Sequence, residues 1–545
     1  MAVKNYIINS LMMGALTAVT LGMGSIAISP VAEAAQAVKA DRPQSAALQY
    51  SLKFDAQKYT KKTMQVEGQA VSFRAYEDCV YVAKPADAAY EKMNIYIPES
   101  YFSGGAINGY TAKTAPIFMP NNVGGYMPGQ ADSPSESGNR HEGANATLLA
   151  LSKGYVVAAP AIRGRTLQAS DGTYTGKAPA LIVDYKAAVR YLRYNKNVLP
   201  AGDTEKIISN GTSAGGALSA LLGATGNSKE YDSYLKEIGA AKDRDDIFAS
   251  SDYCPITNLE HADMAYEWVF NGVNEYHQKK GMGMPGHMPG SAKMPPQQNG
   301  QPTGIPMGRP ADAPMETTQA DLMSAVQIKA SSQLKQLFPA YVNSLGLTDK
   351  KGNALTLDAN GNGSFKEYLE SFYLKSAQTA IDSGEDLSKM DWLTIEDGKA
   401  VAMDLAKYAV FATRLKSAPA FDSLDNTTGE NNEFGTKTIN NQHFTEFSQQ
   451  NSTVSAAMAD KQIIKLMNPM NYIGSGGDVK LAKHWRIRHG AIDRDTSLAI
   501  PAILATKLMD QGYDVDFASP WNRGHDGDYD LKELFVWMDS ICKAK

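Results

Sequence analysis

The chain has 545 residues, 43% of them hydrophobic and 20% charged, and a net charge of -5. That length exceeds a single compact domain, so it predicts one large core plus an insertion or second domain. The composition is that of a soluble globular protein, and the weak negative charge argues against a nucleic-acid surface.

The first residues read as an export signal. Lys4 opens a short basic start, an apolar stretch runs from about Tyr6 to Ile28, and Ala32-Glu33-Ala34 supplies a small-x-small cleavage pattern. Residues 1–34 are therefore expected to be removed on the way to the periplasm or the exterior, leaving no membrane attachment. The rival is an uncleaved anchor, since the stretch is long enough to span a bilayer. No cysteine follows the run, so no lipid anchor is predicted. The three cysteines, Cys79, Cys254 and Cys542, allow one disulfide with a thiol left over, or three buried reduced thiols.

From 35 to 257 the chain alternates strand and helix. Met93–Pro98 and Ala115–Pro120 look like buried strands, and the second runs into Asn121-Asn122-Val123-Gly124-Gly125-Tyr126. A Gly-Gly loop after an early strand is where α/β-hydrolases place an oxyanion-hole amide; the other reading is a plain turn. Gly154–Pro160 is the next strand, with Arg163 and Arg165 at its exit, and Ala180–Asn195 is an amphipathic helix. Then comes Ile207-Ile208-Ser209-Asn210-Gly211-Thr212-Ser213-Ala214-Gly215-Gly216, a strand, a G-x-S-x-G turn and a small-residue helix. That context separates a nucleophile elbow from a chance match. Asp252–Thr257 looks like the exit of one more strand.

Residues 258–455 break the alternation and are predicted to form an inserted cap domain. Within it, 277–319 is rich in Gly, Pro, Met and Gln, including Met282, Met284, Met288, Met294, Met307 and Met315, and reads as a disordered loop. With His287 those thioethers could bind Cu(I), a weaker reading than filler. Asp358, Asn360 and Asn362 begin like a calcium loop, but the glutamate comes one place late, at Glu370; the rival is an Asn/Gly turn ahead of a helix. The core resumes over 456–545, with strands at His484–His489 and Tyr513–Ala518 and helices at Thr496–Met509 and Asp530–Cys542. The predicted class is α/β: an α/β-hydrolase fold, mostly parallel, with helices on both faces and a large cap.

A serine hydroxyl needs a base, and the base needs a carboxylate to orient it. Of eight histidines, His525 alone follows a late strand in the right place, in Trp521-Asn522-Arg523-Gly524-His525-Asp526-Gly527-Asp528. Asp493 and Asp495 both qualify as the acid; Asp493 lies nearer its strand, whereas Asp495 could simply cap a helix. The expected oxyanion donors are the amides of Ala214 and of the Gly124-Gly125 loop. No cofactor is called for.

Five stretches in order resemble the bacterial tannase family: Asn121–Gly129, Gly211–Ser219, Tyr253–Trp268, Arg488–Leu498 and Gly524–Leu531. The similarity runs from about residue 50 to the C-terminus. The resemblance implies a secreted or cell-associated, capped α/β-hydrolase that cleaves galloyl esters through Ser213, Asp493 and His525. It also implies that Asp495, Lys416 and Glu430 contact the galloyl hydroxyls, whereas the bland reading of Lys416 and Glu430 is two exposed cap charges. Fungal tannases and related feruloyl esterases carry cysteines beside the serine and histidine; Thr212 and Asp526 stand there instead, as in the bacterial branch. The Met/Pro/Gly loop has no counterpart in the family. The expectation is a secreted serine esterase acting on a small galloyl or phenolic ester. A broader feruloyl or aryl esterase is the alternative within enzymes, and a non-catalytic secreted binder is the alternative outside them.

Overall fold

The computed structural model describes residues 49–138, 143–277 and 320–544. The export signal and nearly all of the Met/Pro/Gly loop lie outside these residues. Among the described residues no helix is long and apolar enough to cross a membrane.

Nine strands form one sheet: β1 (Thr60–Val66), β2 (Gln69–Val80), β3 (Lys92–Pro98), β4 (Pro116–Pro120), β5 (Val156–Pro160), β6 (Asp203–Thr212), β7 (Ala249–Tyr253), β8 (His484–Arg488) and β9 (Asp514–Ala518). Their order is β1-β2-β3-β5-β4-β6-β7-β8-β9. The first three strands and the β3–β5 pair are antiparallel; from β5 onward every pair is parallel. Every residue of β4, β5 and β7 is buried; β4 and β5 accordingly carry apolar runs rather than alternation, whereas β7 buries Ser250, Ser251 and Asp252.

The register shows that helices cover both faces. Adjacent strand residues point to opposite faces, and paired residues share one. Phe118 meets Phe535 of the closing helix Leu531–Lys543, with ring centroids 5.7 Å apart. Met119, next along, pairs through Ser209 and Ser250 with Trp485, whose ring presses on Gly223 of the helix Ala214–Ala224.

Among the described residues no strand joins the sheet between β7 and β8. The intervening chain begins with helix α1 (Leu259–Phe270) and includes Ala325–Ser344, Ser364–Asp382, α2 (Leu405–Ala412) and the short α3 (Gly429–Glu433). Phe338, Trp392, Tyr408 and Phe421 from this region belong to the same apolar cluster as the sheet residues.

Asp358, Asn360 and Asn362 form the Asn/Gly turn of the rival reading. Asp358 Oδ1 accepts the amides of Asn360 (2.8 Å) and Asn362 (2.9 Å), and Lys366 Nζ donates to Asn362 Oδ1. These bonds close a turn ahead of the helix at Ser364, and Asp349–Asn353, with the same D-x-x-G-N pattern, closes in the same way. The three cysteines are unpaired.

Candidate active site

The turn after β6 is tightly packed. Ser213 sits at φ 62, ψ -124, where an L-residue is strained, and its amide donates to the Tyr253 carbonyl (2.9 Å). The flanking glycines leave no room for a side chain: a Cβ at Gly211 would lie 2.3 Å from the Gly215 carbonyl oxygen, and one at Gly215 would lie 2.6 Å from Asn121 Oδ1. The side-chain amide of Asn121 donates to the carbonyls of Asn210 and Gly215 and to Ser219 Oγ, while its oxygen accepts the Val123 amide. One buried asparagine thus clips the Gly124-Gly125 loop onto the serine turn.

Parallel pairing brings the other groups level. Thr212 pairs with Tyr253, Tyr253 with Arg488, and Arg488 with Ala518. The next residue on each strand therefore emerges at the same end of the sheet, and the loops after β8 and β9 carry Asp493 and His525 back over Ser213. His525 Nε2 lies 2.8 Å from Ser213 Oγ, and His525 Nδ1 lies 2.8 Å from Asp493 Oδ2. Asp493 Oδ1 accepts the amides of Asp495 (2.8 Å) and Thr496 (3.4 Å). The two aspartates meet different nitrogens of the ring: Asp495 Oδ2 stands 3.6 Å from His525 Nε2, on the other side from Asp493.

Burial alone would depress the His525 imidazole, but Asp493 and Asp495 outweigh it and hold the ring well above its ordinary value. Burial likewise works against the Asp493 carboxylate, and His525 with His489 and the loop amides overcomes it, so Asp493 stays ionised far below the usual range. The arrangement can accept a proton from the serine and stabilise the resulting imidazolium.

Lys416 and Asp495 come together as an ion pair, Nζ to Oδ1 3.3 Å, with Lys416 Nζ also 4.0 Å from the Phe421 ring centroid. Glu430 lies on α3, close enough that Lys416 opposes the upward push of burial on its carboxyl. All three are half-buried, so the reading as fully exposed cap charges does not fit.

Sequence reasoning missed what assembles this pocket. On α1, Asp263, Tyr266 and Glu267 share one face, and each holds a different segment. Asp263 accepts the amides of Phe421 and Asp422; the Tyr266 hydroxyl donates to the Arg494 carbonyl and accepts the Leu415 amide; Glu267 pairs with buried Arg414, whose Nε donates to the Lys416 carbonyl. A polar i, i+3, i+4 stripe on an otherwise buried helix is the signal that could have found them. The two arginines after β5 also separate. Arg163 is bound to Asp184, whereas Arg165 donates through Nε to the Gly125 carbonyl (2.8 Å) and through Nη1 to Asn432 Oδ1 on α3 (3.0 Å). One guanidinium therefore joins the glycine loop to the helix carrying Glu430.

Another Ser–His–Asp array lies in the inserted region: Asp422 Oδ1 to His443 Nδ1 2.6 Å, His443 Nε2 to Ser452 Oγ 2.9 Å. It differs where catalysis would need it not to. Ser452 has no left-handed backbone, and its hydroxyl is shared with the carbonyls of Val454 and Leu424. Asp422 also accepts from Asn431, Phe444 and Thr445. This array fixes the chain around α3 and is structural.

Thr212 and the residue after Asp526 touch: a Cβ on Gly527 would lie 1.9 Å from Thr212 Oγ1. Close packing joins the serine and histidine loops there.

The chain matches the BD-FAE family over residues 124–294. No curated protein matches it. Among solved structures it is similar to a Fusobacterium nucleatum tannase, at 51% identity over 91% of this chain and 100% of that one, with a TM-score of 0.81. It is also similar to a Lactobacillus plantarum tannase, at 44% identity over 90% of this chain and 100% of that one, TM-score 0.81. A tannin acyl hydrolase in complex with ethyl gallate matches at 44% identity over 90% of this chain and 99% of that one, TM-score 0.79.

Proposed function

The chain belongs to the bacterial tannase family, and from that premise we propose a serine esterase for galloyl esters in which Ser213, His525 and Asp493 do the chemistry. Ser213 Oγ attacks the ester carbonyl carbon as its proton passes to His525 Nε2. Amides of Ala214 and the Gly124-Gly125 loop hold the oxyanion. The alcohol leaves with that proton, and water activated by the same ring releases gallate from the acyl-enzyme. The galloyl hydroxyls donate to Asp495 and Glu430 and accept from Lys416.

The observation that carries this reading is the adjacency of the two sites. Asp495 bridges them, 3.6 Å from the base His525 and 3.3 Å from Lys416, so ring hydroxyls and ester carbonyl are held together. Ethyl gallate, the ligand of a related hydrolase, has that span of groups. Residues 258–455 act as the cap, and the basic, apolar, A-x-A start of the chain supports export to the periplasm or beyond. The match to BD-FAE keeps a broader phenolic-acid esterase as the second reading.

Hydrolysis of methyl gallate, methyl ferulate and methyl benzoate distinguishes the two. The galloyl reading expects kcat/KM on gallate to exceed that on benzoate by about 100-fold or more, because buried polar groups go unpaired when the hydroxyls are missing. Equal rates would replace it with the broader esterase. Arg165→Gln is expected to lower kcat/KM on methyl gallate about tenfold, with Arg165→Lys restoring little, since a point charge cannot span both acceptors. Unchanged kinetics in Arg165→Gln would show that the loop and α3 hold their places without it.

A further inference from the structure

The pairing that levels the strand ends also places two groups the mechanism leaves idle, Cys254 and His489, beside the triad carboxylate Asp493. Cys254 and His489 are the first residues past the paired ends Tyr253 and Arg488, and the Cys254 amide donates to the Arg488 carbonyl (2.7 Å). Asp493 returns to the same spot through a turn in which its amide donates to the Gly490 carbonyl. The thiol of Cys254, a ring nitrogen of His489 and a carboxylate oxygen of Asp493 all lie within 4.8 Å of one another. His489 is 1% exposed, yet neither ring nitrogen makes a close, well-aligned hydrogen bond; the ring faces the Thr496 backbone and Asp493 Oδ2, the latter at 3.6 Å from Nδ1. A buried imidazole so loosely satisfied needs a physical explanation.

We propose that Cys254, His489 and Asp493 form a latent site for a soft divalent cation of the Zn2+ type, whose occupancy draws Asp493 away from His525 and switches the esterase off. The proposal rests on the triad reading for its effect on turnover, though not for binding. Thiolate and imidazole suit zinc-like ions and not calcium or magnesium. One thiolate and one carboxylate would balance the divalent charge, with the neutral imidazole as third ligand and water in the fourth position. Two ligands on a tetrahedral zinc ion stand about 3.3–3.7 Å apart, and His489 Nδ1 is already 3.6 Å from Asp493 Oδ2. The thiol, which now donates to the Asp526 carbonyl (3.1 Å), has to close in and lose its proton to solvent as the metal–sulfur bond forms.

Competition centres on one atom. Asp493 Oδ2 accepts from His525 Nδ1 and also faces His489, while Oδ1 keeps its backbone amides. The carboxylate can therefore exchange the catalytic ring for the metal without leaving its loop. Because the ion has to break the His525–Asp493 and Cys254–Asp526 hydrogen bonds at a fully buried spot, inhibition should develop slowly.

The test uses the full chain in metal-free buffer. Preincubation with Zn2+ is expected to abolish methyl gallate turnover progressively, with EDTA restoring it and Mg2+ or Ca2+ having no effect. Cys254→Ala and His489→Gln should each raise the Zn2+ midpoint tenfold or more, each measured against its own metal-free rate. Binding is read without catalysis by adding Co2+ to Ser213→Ala: a thiolate-to-cobalt charge-transfer absorption is expected, and it should vanish when Cys254→Ala is added. Absence of that band in Ser213→Ala overturns the proposal. So does a Zn2+ midpoint unmoved in both variants, which would put the ion in the Asp495–Glu430 pocket. If gallate proves not to be a substrate, the galloyl reading fails while the cobalt band still decides this one.

Discussion

Ser213→Ala is expected to reduce kcat on methyl gallate by about 10⁶-fold, the size of effect seen when a triad nucleophile is removed. What remains is the contribution of the oxyanion donors and substrate binding, which do not need the hydroxyl. The fold should survive, because the turn is held by the Ser213 amide, by Asn121 and by the glycines, none of which involves Ser213 Oγ. The same backbone predicts a stability difference between two inactive variants. At φ 62 and ψ -124 alanine keeps the strain that serine bears, whereas glycine relieves it. Ser213→Gly should therefore be more stable than Ser213→Ala by about 1 kcal/mol, read from urea unfolding midpoints. Near-normal turnover in Ser213→Ala would remove the serine from the mechanism. Equal stabilities would show that the turn is not strained.

The residues proposed to be catalytic were legible because α/β topology fixes such groups in order along the chain. Ser213 follows β6, Asp493 follows β8 and His525 follows β9, and each strand carries β-branched or aromatic residues and ends in a polar, Gly-containing loop. The roles of Asp493 and Asp495 were not separable in that way. Two residues apart on one loop, they differ only in which edge of the His525 ring they meet, and that depends on where the loop after β9 lands.

Less legible still was the support for the side chains proposed to read the galloyl ring. Glu267 and Arg414 are 147 positions apart, and Arg165 and Asn432 are 267 apart, so no local periodicity marks the pairs. The helix holding Asp263, Tyr266 and Glu267 stood out as a motif, but its purpose depends on partners that fold onto it from three directions. The Asp422–His443–Ser452 array carries the converse lesson. The same residue types at the same distances do nothing chemical unless the serine is strained and exposed to substrate, with a carboxylate not already saturated by other donors.

Asp495→Asn should separate recognition from chemistry, with opposite consequences for two substrates. On methyl gallate kcat/KM is expected to fall about 100-fold, the cost of replacing a charged acceptor of a phenol hydrogen bond and leaving Lys416 without its partner. On methyl benzoate, which has no hydroxyl to donate, the loss near the pH optimum should be no more than a few-fold. The pH profile should move as well. In the parent enzyme the Asp495 carboxylate, 3.6 Å from His525 Nε2, is one of the charges that hold the ring above its ordinary value despite burial. Removing that charge destabilises the imidazolium, so the ring's pKa falls and it stays neutral, and able to act as base, at lower pH. The acid limb of kcat/KM for methyl benzoate should therefore shift to lower pH in Asp495→Asn. A shift to higher pH would mean that Asp495 does not act on His525 through its charge, and equal losses on both esters would make it a structural residue of the loop.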